Sequence, residues 1–119
     1  MTIEKLRQVF VVVDDMTTAI EFYGGKLGLE MQFRDGDRWV QYSAGTVSIA
    51  LASVDEGMNV PVGVPVPVLQ VTDLEHTLAE LRSSGVETWP VRDMGAHGRT
   101  ARIRDPTGAP LVLFERAAA

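Results

Sequence analysis

The chain has no cysteine, so disulfides and thiolate metal sites are excluded, and a reducing compartment, the cytoplasm, is its expected location. Histidine is scarce, with only His76 and His97, and the aromatic residues number four Phe, two Trp and two Tyr. No stretch approaches the ~20 consecutive apolar residues that span a bilayer, and Glu4 precedes any apolar run, so neither a membrane segment nor a leader is expected. Basic charge is short as well. Eleven Lys and Arg stand against sixteen Asp and Glu, and the net charge of −5 opposes binding to a phosphate backbone, so no nucleic-acid partner is expected. Gly-x-Ser-x-Gly, a phosphate-cradling Gly-Lys-Ser/Thr loop and His-Glu-x-x-His are all absent, which leaves any catalysis to scattered residues.

What is present is a repeat. At 119 residues the chain fits one domain, or two small modules sharing a core, and buries about two-thirds of its unfolded surface. Val13-Asp14-Asp15-Met16 returns 58 residues later as Val71-Thr72-Asp73-Leu74. After Asp15, the residues Met16, Ile20, Tyr23 and Leu27 fall on one helical face; after Asp73, Leu74, Leu78 and Leu81 do the same. Asp15 and Asp73 read as N-caps, with Thr18–Glu21 and Thr77–Glu80 spaced as capping boxes that would shift the helix start. Gly28 and Gly85 follow the last turns, and the Gly24-Gly25 pair weakens the end of the first helix.

An apolar run precedes each helix, at 9–13 and 66–71, and three short strands follow each: 30–34, 39–43 and 46–51, then 87–92, 99–104 and 110–114. Asp35-Gly36-Asp37, Ala44-Gly45, the segment 93–98 and Asp105-Pro106-Thr107-Gly108 separate them. Two tandem βαβββ modules of an α+β fold are expected within one domain, 1–119: module one at about 1–57, a linker at about 53–65 and module two at about 65–116. Pro65 and Pro67 share strand parity, so an unpaired edge is expected where module two begins.

Val13-x-Asp15 followed by Phe22-Tyr23 and Leu27-Gly28, then Val71-x-Asp73, Gly98-Arg99 and Asp105-Pro106-x-Gly108, in order and duplicated, resembles the vicinal oxygen chelate superfamily: glyoxalases, extradiol dioxygenases, fosfomycin-resistance enzymes and bleomycin-resistance proteins. The resemblance covers nearly the whole chain. It implies a cup-shaped open barrel made of the two modules, completed in a homodimer. In metal-dependent relatives a histidine lies five residues before the Val of Val-x-Asp, and here that position is Gln8, with Val66 its counterpart in module two. The strand 46–52 offers no carboxylate or histidine, and the usual glutamate four residues after the terminal glycine is Val112. Valine has no electron pair to donate, so no metal ligand and no cofactor are expected. Glu115, beyond the expected ligand position, reads as a solvated charge near the tail, and His76, off the apolar face of its helix, reads as solvent-facing.

Strand alternation puts Gln8, Phe10 and Val12 on one face; Trp39 and Gln41 share a face, while Arg38, Val40 and Tyr42 share the other. With Trp39 and Gln41 assigned to the cup, the ligand-binding set is Gln8, Phe10, Phe33, Trp39, Gln41, Ser48, Ala50, Val66, Trp89, His97 and Arg102. Aromatic walls with a few amide and hydroxyl groups suit a small-molecule pocket, although the same rings equally suit a core between sheet and helix. Arg102 and Arg104 lie opposite Ile103, either recognising an anion or forming a charged solvent face.

Three functions follow. The first is a metal-independent binding protein that sequesters an aromatic or amphipathic metabolite or antibiotic. The second is a metal-free isomerase, epimerase or cyclase in which His97 (the one catalytic candidate) or Gln8 polarises a carbonyl. The third is a metal-dependent glyoxalase-like or dioxygenase activity with other ligands.

Overall fold

Two compact units account for the α+β chain in the computed structural model, which describes residues 2–118: one is formed by residues 8–66, the other by 2–7 together with 67–118. In the first, residues 8–12 of β1 (Ile3–Val12) pair in parallel with β4 (Val47–Ala52), and β2 (Glu30–Asp35) and β3 (Trp39–Ala44) continue an open sheet in the order β2-β3-β4-β1. Helix α1 (Met16–Ile20) covers one face, where Met16, Ile20 and Tyr23 pack with Val40, Tyr42 and Leu51.

Leu27, expected on the same helical face, is 54% exposed. After Ile20 the helix widens into a π-turn over Glu21–Lys26, closed by a 2.9 Å bond from the Leu27 N–H to the Phe22 carbonyl, and the extra residue per turn rotates Leu27 off the core. Gly24 has a packing reason besides its weak helix propensity. A Cβ there would sit 3.3 Å from the Tyr42 ring and hydroxyl, so the bare backbone lets the buried Tyr42 fill the space under the turn.

Both helices start at the expected aspartates. Asp15 accepts from the Thr18 N–H (3.0 Å) and Asp73 from the His76 N–H (3.1 Å). The threonines serve those caps: the Thr18 hydroxyl donates to the Asp15 carboxylate at 2.9 Å, and the Thr77 hydroxyl to the Asp73 carbonyl at 2.7 Å.

In the second unit β5 (Pro65–Val71), β8 (Pro110–Glu115), β7 (Arg99–Arg104) and β6 (Arg92–Asp93) are neighbours in that order, and α2 (Leu74–Ser83) buries Leu74 and Leu78 against Val71, Ala101, Ile103 and Leu113. The β5–β8 ladder begins at Val68, past both prolines, because neither can donate to it. The strand expected over 87–92 is not formed. Pro90 interrupts it, leaving an isolated bridge between Thr88 and Ile103, a 2.9 Å bond from the Trp89 N–H to the Arg102 carbonyl, and two paired residues at Arg92–Asp93.

Glu115 is not a solvated tail charge. It ends β8, accepts from the Leu74 N–H at the start of α2 (3.1 Å) and from Arg99 Nε and Nη2 (3.1 and 2.7 Å), and so ties helix, β7 and β8 together. His76 is exposed, with its Nε2 2.8 Å from Glu80.

The turn before β8 gives a pH prediction. Asp105 Oδ1 accepts from the Thr107 hydroxyl (2.6 Å), the Thr107 N–H (2.8 Å) and the Ala109 N–H (2.9 Å). These bonds, the Thr107 hydroxyl first, hold the carboxyl below its ordinary value of 3.8. A carboxyl whose folded value is depressed contributes stability above its unfolded value and loses it as pH falls through the folded one. Asp105→Asn, which cannot titrate, is therefore expected to show a shallower loss of urea stability between about pH 5 and pH 2 than the wild type. Parallel acid limbs for the two proteins would remove the claim.

Candidate functional site

On the sheet face of the 8–66 unit opposite α1, alternation and register bring the sequence candidates into a grid. Gln8 lies beside Ser48 and Phe10 beside Ala50; Ala50 and Ala52 face Gln41 and Trp39, and Phe33 faces Gln41 from β2. Val40 and Tyr42, on the other parity of β3, go to the helix side. Phe10 and Trp39 are carried by strands with β4 between them, a backbone separation of about 10 Å. Their rings nevertheless approach to 6.0 Å at a tilt of 48°, because the intervening strand presents only the methyl groups of Ala50 and Ala52.

A polar chain leads from that aromatic pair. Trp39 Nε1–H donates to Gln41 Oε1 (3.2 Å), Gln41 Nε2 lies 3.3 Å from Gln32 Oε1 and 3.4 Å from Ser48 Oγ, and the Ser48 hydroxyl donates to Gln32 at 3.1 Å. Gln32 was not a sequence candidate. The register slips between Met31 and Phe33, and this bulge turns Gln32 to the side of Gln41, where strict alternation would place it opposite.

At the other end of the grid the linker closes over Val12. The Gly63 N–H bonds the Val12 carbonyl at 2.9 Å, Val60 is buried, and a Cβ on Gly57 would overlap the Val12 side chain. The face thus has an apolar floor, a ring pair, and a rim of neutral amides and hydroxyls.

A hollow of about 500 Å³ opens elsewhere in this unit, beside the start of α1, where Asp14, Asp15, Asp37 and Asp55 surround Val13, Met16 and Ser53. It has no aromatic wall, so it lacks the chemistry of the ring-bearing face.

In the other unit Arg102 lies over the Trp89 ring, 4.4 Å from its centroid, and across from Val112 on β8, which in turn faces Val68. Arg7, absent from the sequence candidates, lies 4.0 Å over the Phe114 ring and donates from Nη1 to Gln70 Oε1 at 3.0 Å; Gln70 Nε2 reaches Glu4 at 3.5 Å. Burial, and then the nearby Arg116 charge, hold the Arg7 guanidinium below its ordinary value. His97 is exposed in the short turn Gly95–His97, five residues along the chain from Arg102.

Of the positions that hold a metal in the resembling family, Val66 and Val112 are buried hydrocarbon, Gln8 is an amide, and β4, where a further ligand is expected, carries no carboxylate or histidine. Among the described residues no group of three His, Cys, Asp or Glu could hold a metal ion. This donor chemistry does not fit a divalent ion at those positions. Among the described residues, too, no helix is long and apolar enough to cross a membrane.

A strand, a helix and three further strands, built twice with open sheet faces opposite the helices, define the paired βαβββ class of folds. The chain belongs to the Glyoxalase/Bleomycin resistance protein/Dioxygenase superfamily, whose family model matches residues 5–113. It is 28% identical over 121 residues to an uncharacterized protein of Mycolicibacterium smegmatis, with 96% of each chain covered. Among solved structures it is similar to methylmalonyl-CoA epimerase from Mycobacterium tuberculosis, at a TM-score of 0.74 and 23% identity, covering 98% of this chain and 90% of that one. It is similar also to a variant of the Streptomyces coelicolor methylmalonyl-CoA epimerase, at 0.75 and 16%, covering 98% and 100%. At these identities the likeness is one of fold.

Proposed function

We propose that the protein is a metal-independent binder of a small aromatic or amphipathic molecule, a metabolite or an antibiotic, held on the face that carries Phe10, Trp39, Gln41 and Ser48. The observation that supports this most is the hydrogen-bonded chain from Trp39 through Gln41 to Ser48 and Gln32 beside the Phe10–Trp39 pair. Phe10 is buried and backs the Trp39 ring, which is only partly buried and offers stacking area at little entropic cost, and the neutral amides orient a ligand without requiring it to carry charge. Gln8, Phe33 and Ala50 complete this site. Val66, Trp89, Arg102 and His97 extend it if the modules form the cup the family resemblance implies, and a homodimer would complete that cup.

Fluorescence titration with a panel of aromatic natural-product antibiotics tests the reading. A saturable change in the Trp39 signal is expected, and Trp39→Ala should weaken binding by about tenfold or more, or ~1.4 kcal/mol. The absence of saturable binding across the panel, or unchanged affinity in Trp39→Ala, would sink it.

A further inference from the structure

The polar chain on the face of residues 8–66 has a direction, and the indole sets it. An indole N–H donates and cannot accept, so the Gln41 atom 3.2 Å from Trp39 Nε1 must be the amide oxygen. That leaves the Gln41 Nε2 donors for the two remaining partners, Gln32 at 3.3 Å and Ser48 at 3.4 Å. Gln32 therefore meets Gln41 with its own amide oxygen, which also accepts from the Ser48 hydroxyl at 3.1 Å. Every bond of the chain runs away from Trp39 and towards Gln32.

The free end of the chain is then a donor. Gln32 Nε2 has no partner among the described residues, and Gln32 is exposed on β2, the strand that ends the order β2-β3-β4-β1, so both N–H groups are open to a ligand. Turning the amide over would lose the bond from Gln41 and set donor against donor, so the nitrogen stays outward. Gln8, beside Ser48 in register, can turn either end of its amide to a ligand and does not discriminate. Aromatic surface lies alongside: Trp39 is partly buried, and Phe33, which faces Gln41 in register, is 47% exposed. The neighbouring cations are already paired, Arg34 with Asp37 and the Gly36 carbonyl, and Arg38 with Asp35.

We propose that this face selects neutral aromatic carbonyl compounds, with the ring against Trp39 and the carbonyl oxygen accepting from Gln32 Nε2. This selectivity rests on the reading of the face as a ligand site and adds the sign of its polar contact: the protein donates and the ligand accepts. Trp39 to Gln41 spans about 7 Å along β3, and β2 lies about 4.8 Å across, distances that a one- or two-ring carbonyl compound bridges. A ligand whose polar group only donates would meet Gln32 donor to donor, and a hydrocarbon would leave the amide unused. A carboxylate would accept as well, but it would give up water here without a free cation to receive it.

The test is an NMR titration of the isotope-labelled full chain with indanone, and with indane as the hydrocarbon of the same frame. Both ligands should shift the Trp39 indole N–H saturably, and only indanone should move the Gln32 side-chain amide signals downfield. Gln32→Glu keeps an oxygen for Gln41 and Ser48 and replaces the outward donor by an acceptor, at an exposed position where the fold does not depend on it. The substitution should weaken indanone about fivefold more than it weakens indane, the effect of one neutral hydrogen bond. Equal losses for the two ligands, or Gln32 amide signals that stay still while indanone saturates the Trp39 signal, would overturn the proposed selectivity and leave the aromatic face standing as a binding site. If neither ligand gives a saturable Trp39 shift, the binding site itself is refuted for such rings, and the selectivity with it.

Discussion

Gly98→Ala is expected to be among the most destabilising single-methyl additions in this chain, costing about 3 kcal/mol or more. Gly98 has φ 92° and ψ −164°, a backbone region that is essentially closed to residues with a Cβ. Space is lacking too. The new methyl would overlap the Glu115 carbonyl and stand 2.9 Å from two atoms of the Phe114 ring. A ring alone could turn aside, but Phe114 is held under Arg7, and the Glu115 backbone is fixed by the ladder to Arg99 and by the side-chain bonds from Arg99 and Leu74. The damage should therefore spread to β7, β8 and the start of α2. Urea unfolding followed by far-UV circular dichroism measures it. A midpoint within error of wild type would show that the β6–β7 turn can relax, and would discredit the close approach on which the argument rests.

That close approach also marks how far the sequence speaks. Gly98-Arg99 stands out as a turn, and the turn is there, but its reason lies in atoms of Phe114 and Glu115, sixteen and seventeen residues beyond Gly98. The features that local chemistry decides were legible: two aspartate caps, the apolar helix positions near them, the parity that separates Trp39 and Gln41 from Val40 and Tyr42, and the duplicated order of elements. Those that depend on distant partners were not. Glu115 has the composition of a frayed end and the position of a tie, because its partners, Leu74 and Arg99, are remote in sequence. Gln32 reaches Ser48 only through a bulge, which inserts a residue where a period of two has no place for it. Arg7 reads as one charge at the head of a strand, and only pairing in space sets it over Phe114. Leu27 fails as a core residue for a related reason: nothing in the apolar spacing records the change of helical pitch after Ile20.

Val112→Glu, which restores at one position the carboxylate of metal-dependent relatives, is expected to cost about 3 kcal/mol or more at neutral pH. Val112 is 2% exposed and lies between Val68 and Arg102 in register. Arg102 is the one cation across the ladder there, and its guanidinium is engaged over the Trp89 ring, so pairing with the new charge would give up that contact. An incompletely paired carboxylate in this place would have its pKa raised by desolvation. Its folded value would then exceed its unfolded one, so the deficit against wild type should narrow as pH falls. Val112→Gln, similar in size and without charge, should lose less and show no such pH dependence. Zn²⁺ or Ni²⁺ should not recover Val112→Glu, because the valine and amide at the other matched family positions, and a β4 strand without carboxylate or histidine, add no charged donor. Melting temperatures of the three proteins across pH, with and without metal, decide the matter. A dose-dependent rise with metal in Val112→Glu would mean that a donor set still surrounds this position and that the reading of a metal-free binder is mistaken. A variant as stable as wild type at pH 7 would mean that the valine is not there to keep the face apolar.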